Sequence, residues 1–234
     1  MEQWRERIQS EIDRFLPHRC GAVRVLEAGG GKKSQLVLPP ARHVTVIDTD
    51  AAALAVNRIA DEKIVGDLET HDFDDRQFDL VICWDVLEHL QAPPKAVRRL
   101  ASTVAPGGLL LIRGPLGISM KGLIAHWTPF WVHVGFHRYF LGSKNAGKPG
   151  HAPFPLGAAS DSDDRLLAEA LRGAGLEVVA ARRFEGNHAK RLRQRAYPVY
   201  ALYRLAGLMV IWMTKGRMGL RETDFFLLAS RRSG

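Results

Sequence analysis

The residues best suited to chemistry open in "VLEAGGGKKS", Val25 to Ser34, where Glu27 precedes three consecutive glycines, Gly29 to Gly31, and Lys32 and Lys33 follow. Glycines after a strand let backbone N–H groups come close to a ligand, and different ligands demand different spacings. A phosphate loop reads G-x-x-x-x-G-K-[ST]; here Leu26 stands where the first glycine belongs and Lys33 where the hydroxyl belongs, so that chemistry fails. A dinucleotide loop, G-x-G-x-x-G, would put its third glycine at Ser34, with Asp48 downstream as the ribose acid. That pattern is weak alone. Glu27 adds something neither loop needs, a carboxylate at the end of the strand before the turn, which suits a ligand carrying an ammonium group. Further carboxylates stand at Asp48 and Asp67, and Glu88 and His89 are adjacent. The last two are either an acid and base pair or residues that start the next helix and hold its loop.

A second group is aromatic and basic. "HWTPFWVHVGFHRYF", residues 126 to 140, carries His126, His133, His137 and Tyr139. His133 and His137 have the spacing of a helical metal pair, but no carboxylate accompanies them and Gly135 lies between, so no metal is expected. "RRFEGNHAKRLRQR", residues 182 to 195, sets six Lys or Arg against a single Glu, the most basic stretch of a chain with formal charge +8. It leads into the apolar "YPVYALYRLAGLMVIWM", residues 197 to 213.

Elements must bring these residues together. The chain has 234 residues, 46% of them hydrophobic, enough for one sizeable core and hardly for two, so a single domain is expected over residues 1 to 234. An amphipathic helix is expected from about Gln3 to Leu16, with Trp4, Ile8, Ile12 and Phe15 on one stripe and Pro17 as its stop. Short apolar runs then alternate with helical patterns. Strands are expected at 23 to 27, 43 to 47, 63 to 66, 78 to 83, 108 to 113, 176 to 184 and 223 to 230, and helices at 51 to 59, 91 to 103 and 161 to 173. Apolar strands interleaved with helices imply an α/β fold, doubly wound around a mostly parallel sheet. Cys20 and Cys83 are too few for a disulfide framework, and the charged N-terminus lacks the apolar centre of a signal peptide, so the chain reads as cytoplasmic.

Five stretches in order, "VLEAGGGKK", "VTVIDTD", "IVGDLE", "FDLVICWDVLEHL" and "LASTVAPGGLLLIRGP", make residues 22 to 116 resemble class I S-adenosylmethionine-dependent methyltransferases. The resemblance implies a Rossmann-like seven-stranded sheet and S-adenosyl-L-methionine as cofactor. It implies that Glu27, Ala28, Gly29 and Gly31 form the loop under the methionine part. Asp48, with Thr49 beside it, would accept the ribose hydroxyls, Asp67 and Leu68 would flank the adenine, and Cys83 and Trp84 would sit beside the sulfonium. Lys33 departs from the pattern, because many members have a third glycine there. Each residue also has a plainer use: Glu27 as a surface strand end, Asp48 as a helix cap, Asp67 as a turn residue, Cys83 as a small core residue.

In this reading the core comprises about 20 to 116, 161 to 184 and 223 to 230, and residues 114 to 160 and 185 to 222 are insertions that meet above the cofactor as a lid. The aromatic run would line an apolar cavity, with His126, His133, His137 or Tyr139 as base for a small-molecule acceptor, apolar or anionic, methylated at oxygen. Residues 197 to 213 are short for a bilayer span and carry Arg204 near their middle, so an amphipathic lid helix is expected, with peripheral membrane contact through 182 to 213 as the alternative. Nucleic acid is disfavoured, because no recognition motif accompanies the basic patch. A different class, a cofactor-binding sensor or partner subunit without turnover, shares the same motifs. The oligomeric state and the acceptor's identity have no signature.

Overall fold

The structure, a computed structural model, describes residues 2–15, 21–40, 42–116, 129–139, 163–185 and 222–232, together with scattered residues between 193 and 208. Helix α1 (Glu2–Phe15) leads into β1 (Val23–Ala28), β2 (Arg42–Asp48), α2 (Ala51–Ala55), β3 (Glu62–Val65) and β4 (Phe78–Trp84). A 3-10 turn (Leu87–His89), α3 (Pro93–Ser102), β5 (Val104–Pro115), α4 (Phe130–Tyr139), α5 (Asp164–Gly173), β6 (Leu176–Phe184) and β7 (Asp224–Arg231) follow. The seven strands form one sheet in the order β3-β2-β1-β4-β5-β7-β6. β1 to β5 pair in parallel, and β7 runs antiparallel between β5 and β6. The expected doubly wound, mostly parallel, seven-stranded sheet is therefore what forms.

The strands pack apolar cores on both faces, as buried parallel strands must. On one face Leu26, Cys83 and Ile112 meet Val97 and Leu100 of α3 and Leu167 and Leu171 of α5. On the other Val25, Val46, Ile82 and Phe226 meet Ile8 and Ile12 of α1 and Leu54 of α2. Burying each such side chain contributes ~1.5–3 kcal/mol relative to exposure.

Three of the boundaries that differ from expectation have a clear local reason. α2 stops at Ala55 rather than residue 59, because the Asn57 side chain takes the next backbone groups: its Oδ1 accepts from Ile59 and Ala60 N–H. β5 begins at Val104, not 108, because "APGG" is a bulge inside the strand rather than a turn before it: the pairing jumps from Phe78 with Val104 to Leu80 with Leu109. A Cβ at Gly108 would lie 2.9 Å from the Ala105 carbonyl oxygen and 3.0 Å from that of Phe78, so only glycine fits there. α3 begins at Pro93 rather than 91, and Ala92 offers no cap. Glu69 does that work from outside, accepting from the Gln91 and Ala92 N–H groups at 3.1 and 2.7 Å.

Strand order reverses between β1 and β4, both of which continue into loops at the same rim, the position where open α/β sheets bind ligands. Through β5 and β7, the end of β6 reaches this rim as well: Phe184 pairs with Asp224, and Asp224 with Pro115. The segments after β5 and β6 therefore both leave from the ligand rim, as expected. Apart from α4 and the scattered residues between 193 and 208, these segments, His126 included, lie outside the described residues.

Candidate functional site

At the switch point an open cleft is lined by Glu27, Gly29, Gly30, Lys33, Gln35 and Trp84, among others. Strand alternation decides who faces it. Glu27, Ile82 and Trp84 turn to the α1 face, whereas Cys83 turns to the α3 face, where it is fully buried. Burial pushes the Cys83 thiol well above its ordinary range, with Glu88 adding to the rise. Cys83 therefore brings only backbone to the rim, and Trp84 brings a side chain.

Glu27 is 2% exposed. Its Oε1 accepts from the Ser34 hydroxyl, while Oε2 has no partner among the described residues. Desolvation raises the carboxyl above the usual range, against the Ser34 bond that lowers it. A buried carboxylate oxygen without a donor is costly unless something supplies one. The cleft beside it is where such a donor can enter, and an ammonium group is the strongest kind. The chain thus fits the expected cofactor at this point.

The glycines hold the cleft open. Gly29 has φ +69°, and a Cβ there would lie 2.2 Å from Val86 Cγ2. A Cβ on Gly30 would approach the unpartnered Glu27 Oε2 to 3.0 Å and Val46 Cγ1 to 2.8 Å. Gly31, φ +46°, donates its N–H to Asp48 Oδ2 at 2.9 Å, and its carbonyl accepts from Asn57 Nδ2 at 2.8 Å. Asp48 Oδ1 accepts from Asp50 N–H at 2.9 Å. Asp48 is thus a loop anchor as well as a candidate ribose acceptor; its four lone-pair sites leave room for both. The plainer capping use falls to its neighbour, since Asp50 accepts from Ala53 N–H at the start of α2. Sequence reasoning missed Asn57, and no spacing rule points to an asparagine this far from the glycines.

Asp67 is exposed and folds back onto its own turn, its Oδ1 accepting from Glu69 N–H at 2.8 Å, while Leu68 is buried in the core. Thr49 is exposed beside Asp48. Glu88 is 8% exposed on the 3-10 turn, and a Cβ on Gly114 would lie 3.7 Å from its Oε2; His89 Nε2 lies 3.9 Å from its Oε1. The turn precedes α3 rather than starting it. Glu88 packs against β5, which favours the loop-holding use over acid and base chemistry.

Of the acceptor-side candidates only Tyr139 has a described side chain, and it does not line this cleft. His133, His137 and Tyr139 lie on α4, where Tyr139 is 82% exposed; the two histidine side chains and all of His126 lie outside the described residues. Among the described residues no group of three His, Cys, Asp or Glu could hold a metal.

Comparison with known proteins agrees with this geometry. The chain belongs to a methyltransferase family, matching its methyltransferase domain over residues 1–146, and this domain is of the class I S-adenosylmethionine-dependent kind. It is 32% identical over 111 residues to a protein of Mycolicibacterium smegmatis described as a probable S-adenosylmethionine-dependent methyltransferase, covering 45% of this chain and 43% of that one. It is 29% identical over 129 residues to the ubiquinone biosynthesis O-methyltransferase of Aeromonas salmonicida, covering 49% and 54%. The chain thus spans about half the length of these curated relatives. The fold is similar to the N-methyltransferase NodS of Bradyrhizobium japonicum WM9 in complex with S-adenosyl-L-homocysteine, with a TM-score of 0.52, 14% identity, and coverage of 98% of this chain and 88% of that one.

Proposed function

We propose that this chain methylates a small-molecule acceptor at oxygen, with Glu27 as the principal cofactor contact. The observation that carries the reading is the buried, unpartnered Glu27 Oε2 beside a cleft at the sheet's switch point. When bound, S-adenosyl-L-methionine supplies a methyl group already activated by a sulfonium centre. The chain's own residues bind, orient and exclude water. Glu27 receives the ammonium group, Ala28, Gly29 and Gly31 give the loop its close approach, and Asp48 with Thr49 takes the ribose. Asp67 and Leu68 border the adenine, and Trp84 with the Cys83 backbone walls the reacting end. The acceptor's proton goes to a base on the excursion after β5, the candidates being His126, His133, His137 and Tyr139.

Oxygen is favoured because relatives of this chain include O-methyltransferases of ubiquinone biosynthesis. Those names also favour an apolar, ring-bearing acceptor. The test is transfer of labelled methyl from S-adenosylmethionine to a panel of phenols, aliphatic alcohols and carboxylates, with products read by mass. A methylated oxygen product is expected. Cofactor binding without transfer to any acceptor would instead support a sensor or partner subunit.

Peripheral membrane contact through 182–213 is a second reading. The segment starts in β6, its described residues between 193 and 208 are helical, and Tyr197, Leu205 and Leu208 are 66%, 62% and 51% exposed, whereas Tyr200 is buried. No helix among the described residues is long and apolar enough to cross a membrane. Co-sedimentation with anionic vesicles that is lost at high salt is expected of such contact; no sedimentation would remove it.

A further inference from the structure

We propose that Arg113 is a positioning residue that fixes the Trp84 wall of the cofactor cleft. This rests on the cleft being the cofactor site. Arg113 and Trp84 are register partners on β5 and β4, and the guanidinium carbon lies 5.4 Å from the Trp84 ring centroid and 5.8 Å from that of Phe184, at the end of β6. Arg113 also bridges two carboxylates. Nη1 pairs with Asp85, the residue immediately after Trp84, and Nη2 donates to Asp224 Oδ1 at 2.6 Å, at the start of β7. Thr223 Oγ1 donates to the other oxygen of Asp224 at 2.5 Å.

Asp85 stands in the left-handed region at φ 55°, a conformation a non-glycine residue keeps only when its surroundings impose it. Arg113 imposes it twice, since the Asp85 N–H also donates to the Arg113 carbonyl at 2.9 Å. One side chain, 12% exposed, thus ties the rim ends of four strands to the aromatic residue that lines the cleft. An ordinary structural pair in the same sheet looks different. Arg24 and Asp79 join β1 to β4 at the opposite rim, with Arg24 49% exposed, and neither lines the cleft. Lysine cannot replace Arg113, because an ammonium neither bridges two carboxylates in a plane nor stacks flat on an indole.

The test uses the full chain, S-adenosyl-L-homocysteine as probe, and Trp84 emission isolated by difference against a Trp84→Phe variant. In Arg113→Gln we expect the Trp84 emission to shift to the red and probe affinity to fall about tenfold or more, a size that displacing a positioned group readily produces. Arg113→Lys should fail to rescue either signal, Asp85→Asn should show the same shift with a smaller affinity loss, and Arg24→Gln should move neither. Trp84 emission and probe affinity in Arg113→Gln equal to those in Arg24→Gln would overturn the proposal, as would full rescue by lysine. If Arg113→Gln does not fold, Asp85→Asn decides in the same terms, because its carboxylate is 42% exposed and its loss disturbs no core. Failure of the unaltered chain to bind the probe would sink the cofactor reading, while the emission shift, which needs no ligand, would still judge the clamp.

Discussion

The half of the sheet built from β1 to β4 and the half built from β5 to β7 share one rim but use it differently. In the first half the rim is open: among the described residues Glu27 keeps an oxygen without a partner, and Gly29 and Gly30 occupy positions where a side chain would collide. In the second half the rim is clamped, Arg113 joining Asp224 at the start of β7 and reaching across to Asp85 at the end of β4. A side that serves a ligand common to a family leaves polar groups for it, whereas a side that carries variable excursions must first secure their anchoring points. The difference predicts where substitutions hurt.

The largest effect should follow from two glycines. Gly29→Ala forces a positive φ and a contact with Val86, so it should cost ~1–3 kcal/mol in unfolding free energy and weaken S-adenosylhomocysteine binding more than a hundredfold. Gly135→Ala, on α4 with nothing among the described residues within 4 Å of its Cβ, should raise stability by ~0.5–1 kcal/mol and leave binding alone. Thermal unfolding and calorimetry read both. Equal effects would abolish the distinction between the halves.

Next comes Asp48→Ala. It removes acceptors for the Gly31 and Asp50 N–H groups as well as the proposed ribose bonds, so binding should weaken at least tenfold, charge-assisted bonds contributing ~1.5–3 kcal/mol each. Asp67→Ala, at an exposed residue, should cost less. The reverse ranking would exchange their roles.

A pH dependence should sharpen the picture of Glu27. Its folded-state pKa is raised by desolvation, so between the unfolded and the folded value the native state holds a proton that the unfolded state has released. Stability therefore falls as pH rises through that window, and the charged carboxylate is a burden above it. Glu27→Gln should unfold at a higher temperature than the unaltered chain at neutral pH, yet bind the cofactor worse. Affinity in the unaltered chain should drop as pH falls through the raised pKa, because the ammonium loses its counter-charge. Affinity flat across pH 4 to 8 would deny Glu27 that role.

The smallest effect concerns Cys83. A fully buried thiol pushed above its ordinary range should be inert to disulfide reagents in the native protein; in a Cys20→Ser background, labelling should appear only on unfolding. Rapid native labelling would open the α3 face of the rim to solvent.

What could be read in advance follows the same division. The position of Glu27, the glycines and Asp48 at strand ends on one rim was legible because glycine spacing after an apolar strand restricts residue choice, whereas the burial of Glu27 was not. The alternation that turns Cys83 away from the cleft was also implicit in β4, since Ile82 and Trp84 must then share the other face. Asn57, Glu69 and Arg113 were not legible, because each acts across the fold: Asn57 on Gly31, Glu69 on the start of α3, Arg113 on β4 and β7. The "APGG" bulge misled because proline and glycine signal turns and bulges alike. The acceptor side offered histidines and aromatics without a restricting geometry, so any of four could serve as base.

The most direct measurement is calorimetric titration of the full chain with S-adenosyl-L-homocysteine and with NAD, repeated on Glu27→Gln. The account predicts saturable binding of the first, none of the second, and at least a tenfold loss on substitution, the size of one charge-assisted contact. Binding of NAD, or equal affinity for S-adenosyl-L-homocysteine in both proteins, would contradict it.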